Sequence, residues 1–367
     1  MPKINNFDLI RLVAALQVAI THVIVYLVPA SRGSLWLGIV ELFPGVPIFF
    51  FISGFLISKS FEKNSNVKEF VLNRFLRIYP GLAVCFIASV GAVWLAGYFA
   101  TVSVSFPEIL VWVLAQLTVF QFYNPAGLRH FGTGVLDGSM WSITVEVQFY
   151  ILVPILYMLL RGARSSRQRT NAILLVLVLL FWGINKAYVV EATSYANALW
   201  FKLMGVSFLP WFYMFLVGVV FQRNFDVLSR WFAGRFVLAF GAYCVVAIAG
   251  NAFLRWNVGN TLNFVVFLAL AVAIFSAAFS RNSLSDKMLR RNDLSYGVYI
   301  YHMPIANTLL AMGFGRSSLS FLSTIVLTLV CAYASWQWVE KPALRFKRHP
   351  LYQHDPQMSG RAQTVAL

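Results

Sequence analysis

Two residues that could do chemistry, Arg11 and His22, stand eleven positions apart in the first apolar stretch of the chain, FDLIRLVAALQVAITH from Phe7 to His22. At about 100° per residue, eleven steps make roughly three turns, so both side chains share one helix face about 16 Å apart along its axis. Ionisable groups at depth in a bilayer cost on the order of 2.5–3.5 kcal/mol each on insertion scales, so an aligned pair marks a polar interior or path. The other reading is an arginine reaching the headgroups and a hydrogen-bonded core histidine. Asp8, one turn before Arg11, could hold its guanidinium as an i,i+3 pair or serve as a membrane-edge anchor.

Five further groups carry chemistry-bearing residues. Arg74 and Arg77 share a helix face, and two planar guanidiniums can grip phosphate, although basic anchoring at a membrane surface uses the same residues. The stretch from Trp141 and Ser142 to Tyr150 holds Glu146, about one turn below the outer surface near the expected depth of His22. A carboxylate there could orient the imidazole or balance its charge, or could simply sit among headgroups. Tyr299 and His302 follow Ser295, and His302 reads first as an interhelical hydrogen-bonding residue and second as catalytic. Ser53 and Gly54, after Pro44 and Pro47, suit close helix packing on a segment whose outer end the prolines break. Glu340, before Lys341 and Pro342, reads as a structural tie at the end of the last apolar run.

The elements that must position these residues are membrane helices. The chain has 367 residues, of which 59% are hydrophobic and 11% charged, against about 25% charged in soluble proteins. Its net charge of +16 is spread in short clusters between apolar runs, which argues against nucleic acid and for cytoplasmic loops. No zinc-like spacing occurs, and no metal is expected. Cys85, Cys244 and Cys331 lie inside apolar runs without paired spacing and read as core packing. No cleavable signal peptide is expected, because the first apolar stretch carries Asp8 and Arg11.

The fold expected is an all-α polytopic membrane protein with about ten transmembrane helices, near 7–28, 35–57, 78–100, 142–160, 171–190, 205–222, 236–253, 261–280, 294–312 and 320–340. The region 101–140 reads as an external segment with a re-entrant or interfacial piece, since a full crossing at 109–123 would put the arginine-rich 161–169 loop outside. Both termini are then cytoplasmic. With that topology 23 of the 29 Lys and Arg residues fall inside, and six fall outside: Arg32, Arg129, Lys186, Lys202, Arg255 and Arg316. Residues 1–345 form one transmembrane domain, and 346–367 read as a short cytoplasmic tail.

In this order the motifs resemble the acyltransferase-3 family of integral-membrane O-acyltransferases. The Phe-Asp-x-x-Arg start, the Arg11-x10-His22 spacing and the Phe-Phe-x-Ile-Ser-Gly-Phe-Leu-Ile stretch come first. Arg-x-x-Arg-x-x-Pro, Trp-Ser-Ile-x-x-Glu-x-x-Phe-Tyr and Ser-Tyr-Gly-Val-Tyr-x-x-His follow. The resemblance implies transfer of acetyl or another short acyl group from cytoplasmic acyl-CoA, as co-substrate, to a carbohydrate acceptor. It implies a bacterial inner-membrane location, without nucleic-acid partners. The fused extracytoplasmic hydrolase-like domain common in the family is not expected here, which suggests a single module or a separate extracytoplasmic partner. On this reading Arg74, Arg77 and Arg11 bind the CoA phosphates. His22 acts as general base or transient acyl carrier, Glu146 supports it, and Arg11 belongs to the catalytic set. Asp8, Ser53, Trp141, Ser142, Tyr150, Tyr299 and His302 provide support. The rival readings are an acyltransferase for a small-molecule glycoside, a glycolipid transporter or flippase, and a silent scaffold.

Overall fold

The computed structural model describes residues 5–160, 166–280, 284–290 and 292–346. The tail expected over 346–367 therefore lies, apart from Phe346, outside the described residues. Sixteen α-helices form among those described. The first six are α1 (Phe7–Leu27), α2 (Leu35–Glu41), α3 (Gly45–Lys63), α4 (Val67–Leu95), α5 (Phe106–Gln116) and α6 (Trp141–Leu159). Next come α7 (Arg167–Tyr195), α8 (Leu199–Gly205), α9 (Phe212–Arg223), α10 (Phe225–Phe232) and α11 (Phe236–Leu254). The last are α12 (Phe264–Ala278), α13 (Leu284–Leu289), α14 (Ser295–Ala311), α15 (Ser318–Ser335) and α16 (Lys341–Arg345). No strand forms among the described residues, only an isolated bridge between Phe131 and Gly134.

Seven helical segments are long and apolar enough to cross a membrane, and α5, α9 and α12 are shorter apolar helices. Leu175, Val176, Leu179 and Leu180 on α7 and Val237, Leu238, Val245 and Ile248 on α11 are exposed. Such long apolar faces suit contact with lipid. The chain is thus an all-helical, multi-pass membrane protein.

The helix boundaries correct several of the expected limits. Leu42, Phe43 and Pro44 separate α2 from α3, as the prolines foretell. α4 begins about three turns earlier than expected, because Asn66 caps it by accepting from the Lys68 and Glu69 amides (3.0 and 3.3 Å). Arg74 and Arg77 therefore belong to a continuous helix. The stretch expected at 205–222 is divided between α8 and α9 around Pro210. Within 101–140 only α5 is long, and its eleven residues reach about 16 Å, half a hydrocarbon core.

Small residues set the centre of the bundle. α3 packs tightly against α9, and α14 lies against α1 and α15. A Cβ on Gly54 would lie 1.9 Å from the Phe215 carbonyl oxygen, and one on Gly218 would lie 2.2 Å from that of Phe51. The two backbones touch where the side chains are missing, as the Ser53–Gly54 pair suggested for Gly54. Gly54→Ala should lower stability by about 1–3 kcal/mol, because the new methyl must push α9 away. Thermal unfolding in detergent would read this, and an unchanged midpoint would contradict the contact. The three cysteines are free thiols, with Cys85 buried and its thiol facing the Ile300 carbonyl at 3.3 Å.

Candidate active site

Two cavities lie along the face shared by Arg11 and His22. The first encloses about 330 Å³ and is lined by Arg11, Arg74 and Arg77 together with Asp8, Ser53, Glu146, Tyr150 and Asp293. The second encloses about 180 Å³ and is lined by His22, Gln17, Thr21, Glu41, Trp141, Asn260 and Tyr299. Along α3 their linings, Val46 and Ile52, are six residues apart, or about 9 Å. Phe50, buried between them in sequence, stands edge-on to Phe149 and Trp141, and Phe49 stands edge-on to Tyr299.

The arginine cavity is organised by Asp293, which the sequence reading missed. Asp293 lies just before α14, and its Oδ1 accepts from the Ser295 hydroxyl (2.5 Å) and amide (3.2 Å). Its Oδ2 pairs with Arg11 Nη1 at 2.9 Å and with Arg77. Burial alone would raise its carboxyl, but Arg11 and Arg77 together hold it well below the usual carboxylate range. The expected Asp8–Arg11 pair is thus corrected: Arg11 is bonded to a carboxylate 282 residues away. Asp8 lines the same cavity, but from an exposed position. Arg77 also faces Glu340 at 4.0 Å and lies over the Tyr296 and Trp336 rings. Glu340 takes a bond from Ser335 (3.0 Å) at the end of a π-helical turn, Trp336–Glu340. That turn links α15 to the arginine cluster through Glu340.

Arg74 differs from its neighbours. It joins no ion pair among the described residues, and its buried Nε has no hydrogen-bond partner. Its guanidinium lies 5.8 Å from the ring centres of both Phe70 and Tyr150. A planar cation held by aromatic faces, with a free donor, is prepared for an anion.

Glu146 also departs from expectation. It lines the arginine cavity, where its Oε1 accepts from Ser53 and Tyr150 hydroxyls, each at 2.6 Å. It makes no bond to His22. The reason is depth: Trp141 lines the histidine cavity, and Glu146 is five residues further down α6, about 7.5 Å. Ser53, expected to serve packing, is instead a hydrogen-bond donor to this carboxylate.

The partner of His22 is His302. His22 Nδ1 lies 3.0 Å from His302 Nε2, with the rings 22° from parallel. His302 Nδ1 lies 2.7 Å from the Tyr299 carbonyl, one turn back on α14. Tyr299 is fixed in turn, its hydroxyl 2.5 Å from Ser142 Oγ and donating to the Ser139 carbonyl at 3.1 Å. Asp137 holds Ser139 through its hydroxyl (2.6 Å) and amide (2.9 Å). Gln17 completes the cavity, accepting from the Gly45 amide at 2.8 Å and donating to Val40 and Thr21. It therefore ties the start of α3 to the helix that carries His22.

The family model described as an acyltransferase domain, acyltransferase 3, matches residues 4–337. The chain belongs to the acyltransferase-3 family. This acyltransferase is similar to nodulation protein 10 of Rhizobium leguminosarum bv. viciae, 29% identical over 94% of each chain. It is 26% identical to the O-acetyl transferase of Shigella phage Sf6, over 93% of this chain and 96% of that one. It is also 26% identical to the peptidoglycan O-acetyltransferase OatA of Listeria monocytogenes, over 82% of this chain and 51% of the relative. No solved structure gives a significant match. The acyltransferase-3 chain is therefore an integral-membrane O-acyltransferase.

Glu41, Asn260, Asp293 and Trp336 line the two cavities yet stand outside the motifs read from sequence. Asp293 alone carries a local signal there, an acidic residue two places before Ser295 whose side chain closes a turn onto the Ser295 amide just ahead of α14.

Proposed function

We propose that this acyltransferase moves an acetyl or other short acyl group from cytoplasmic acyl-CoA to a hydroxyl of a cell-envelope or exported carbohydrate. The observation that carries this reading is the pair of stacked cavities, one lined by guanidiniums and the other by an imidazole among carboxylate, amide and aromatic groups. Arg74 supplies the phosphate contact, while Arg11 and Arg77, already paired with Asp293, shape the donor cavity. The acyl end of the donor reaches through the aromatic band towards His22. Amide and carboxylate groups of Asn260, Gln17 and Glu41 beside the Trp141 face suit the hydroxyls and apolar face of a sugar ring. The relative named for peptidoglycan O-acetylation supports a carbohydrate acceptor.

The topology proposed with this function has ten crossings, with the shorter α9, α12 and α14 among them, and both termini in the cytoplasm of a bacterial inner membrane. Residues 1–345 act as one unit, and an extracytoplasmic partner is compatible with it. His22 serves as the general base or the acyl carrier. Glu146 acts on the donor side with Ser53 and Tyr150.

Arg74→Ala should weaken acetyl-CoA binding by about 10- to 100-fold, the worth of a charge-assisted hydrogen bond. Titration of the purified protein with acetyl-CoA reads this directly, and unchanged affinity removes Arg74 from the donor site. Mass analysis of envelope glycans from cells with and without the protein tests the acceptor. One added acyl mass on one sugar supports the proposal, whereas change only in a soluble glycoside would replace its acceptor.

A further inference from the structure

We propose that His302 is a positioning residue that fixes His22 in a single tautomer, with the lone pair on Nε2 facing the acceptor cavity; this rests on the reading of His22 as the reactive base. The argument is a chain of donors and acceptors. The Tyr299 carbonyl can only accept, so at 2.7 Å His302 Nδ1 must carry the proton. His302 is wholly buried, and no carboxylate bonds to either ring among the described residues. A second proton on it would create an unpaired buried cation, which is costly. Its Nε2 is therefore an acceptor. His22 Nδ1, 3.0 Å away, must then donate, and a neutral His22 keeps its lone pair on Nε2.

Only His22 of the two lines the 180 Å³ cavity. The reactive nitrogen thus faces the acceptor, while the other nitrogen is locked by the dyad. In direct transfer the acceptor O–H gives its proton to His22 Nε2 as its oxygen bonds to the thioester carbonyl carbon. The C–S bond then breaks, and the proton passes from Nε2 to the departing CoA thiolate. Throughout, His22 Nδ1–H stays bonded to His302 Nε2, which stabilises the transient imidazolium. A neutral imidazole here does the orienting work that a carboxylate does in the familiar triads.

Two side chains separate orientation from simple packing. His302→Gln can place an amide oxygen near the Nε2 position and accept from His22. His302→Asn reaches only the Nδ1 position, so it can keep the Tyr299 contact but not the bond to His22. With radiolabelled acetyl-CoA and native envelope membranes, His302→Asn should lower kcat on the order of 100-fold with KM for acetyl-CoA unchanged, and His302→Gln should recover most of it. Nitrogen-15 spectra of histidine-labelled wild-type protein in nanodiscs should show His22 protonated at Nδ1 and bare at Nε2. Protonation of His22 at Nε2, or equal activity in the Asn and Gln variants, would overturn the proposal. An active His22→Ala enzyme would instead defeat the underlying reading of His22, while the tautomer seen by NMR would stand or fall separately.

Discussion

His22→Ala should reduce acetyl transfer by on the order of 10²–10⁴, the usual contribution of a general base, with membrane expression preserved. In free energy this is about 3–5 kcal/mol of lost transition-state stabilisation. The expectation follows from placement: His22 is the sole histidine lining the cavity, and the polar groups around it are uncharged except Glu41. The fold should tolerate the change, because α1 packs through Ala14, Ala15, Ala19 and Val23 on its buried side. Labelled acetyl-CoA with native membranes measures the effect. Activity near wild type would remove His22 from the chemistry.

Asp293→Ala should have the largest effect on stability. It strips the shared carboxylate from Arg11 and Arg77 and leaves two largely buried guanidiniums facing one another. Breaking a buried ion pair by removing one partner costs about 3–5 kcal/mol. The protein should then be recovered in low yield or unfold at a clearly lower temperature. Because the folded carboxyl is held below its ordinary range, its stabilisation is complete at neutral pH. It fades as pH falls below the ordinary value of 3.8 towards the depressed one. Asp293→Asn should flatten that acid limb. A variant as stable as wild type across pH would show that Asp293 does not hold the cluster.

What was legible in the sequence follows from what helical periodicity can and cannot encode. Eleven residues from Arg11 to His22 define a face, and Pro44 with Pro47 define a break; both are local rules. Periodicity does not say which helix lies opposite. Asp8 was the nearest carboxylate to Arg11 in sequence, yet the bond goes to Asp293, placed there by the packing of α14 against α1. Likewise Glu146 was given the depth of His22. The fold sets Trp141 at that level instead and places Glu146 in the arginine cavity. His302 was identified as an interhelical hydrogen bonder, but only the three-dimensional partner, His22, gives that bond a direction.

The aromatic band between the cavities has a consequence for the energy economy of the cell. A bilayer that stores an electrochemical gradient loses about 2.3 kcal/mol for each elementary charge that leaks down 100 mV. Phe49 and Phe50 fall on α3 between Val46, which lines one polar chamber, and Ser53, which lines the other. A neutral acyl group can cross such a layer while protons and ions are kept back. With donor and acceptor placed as proposed, rings at this level would let acyl transfer proceed across the membrane without discharging it.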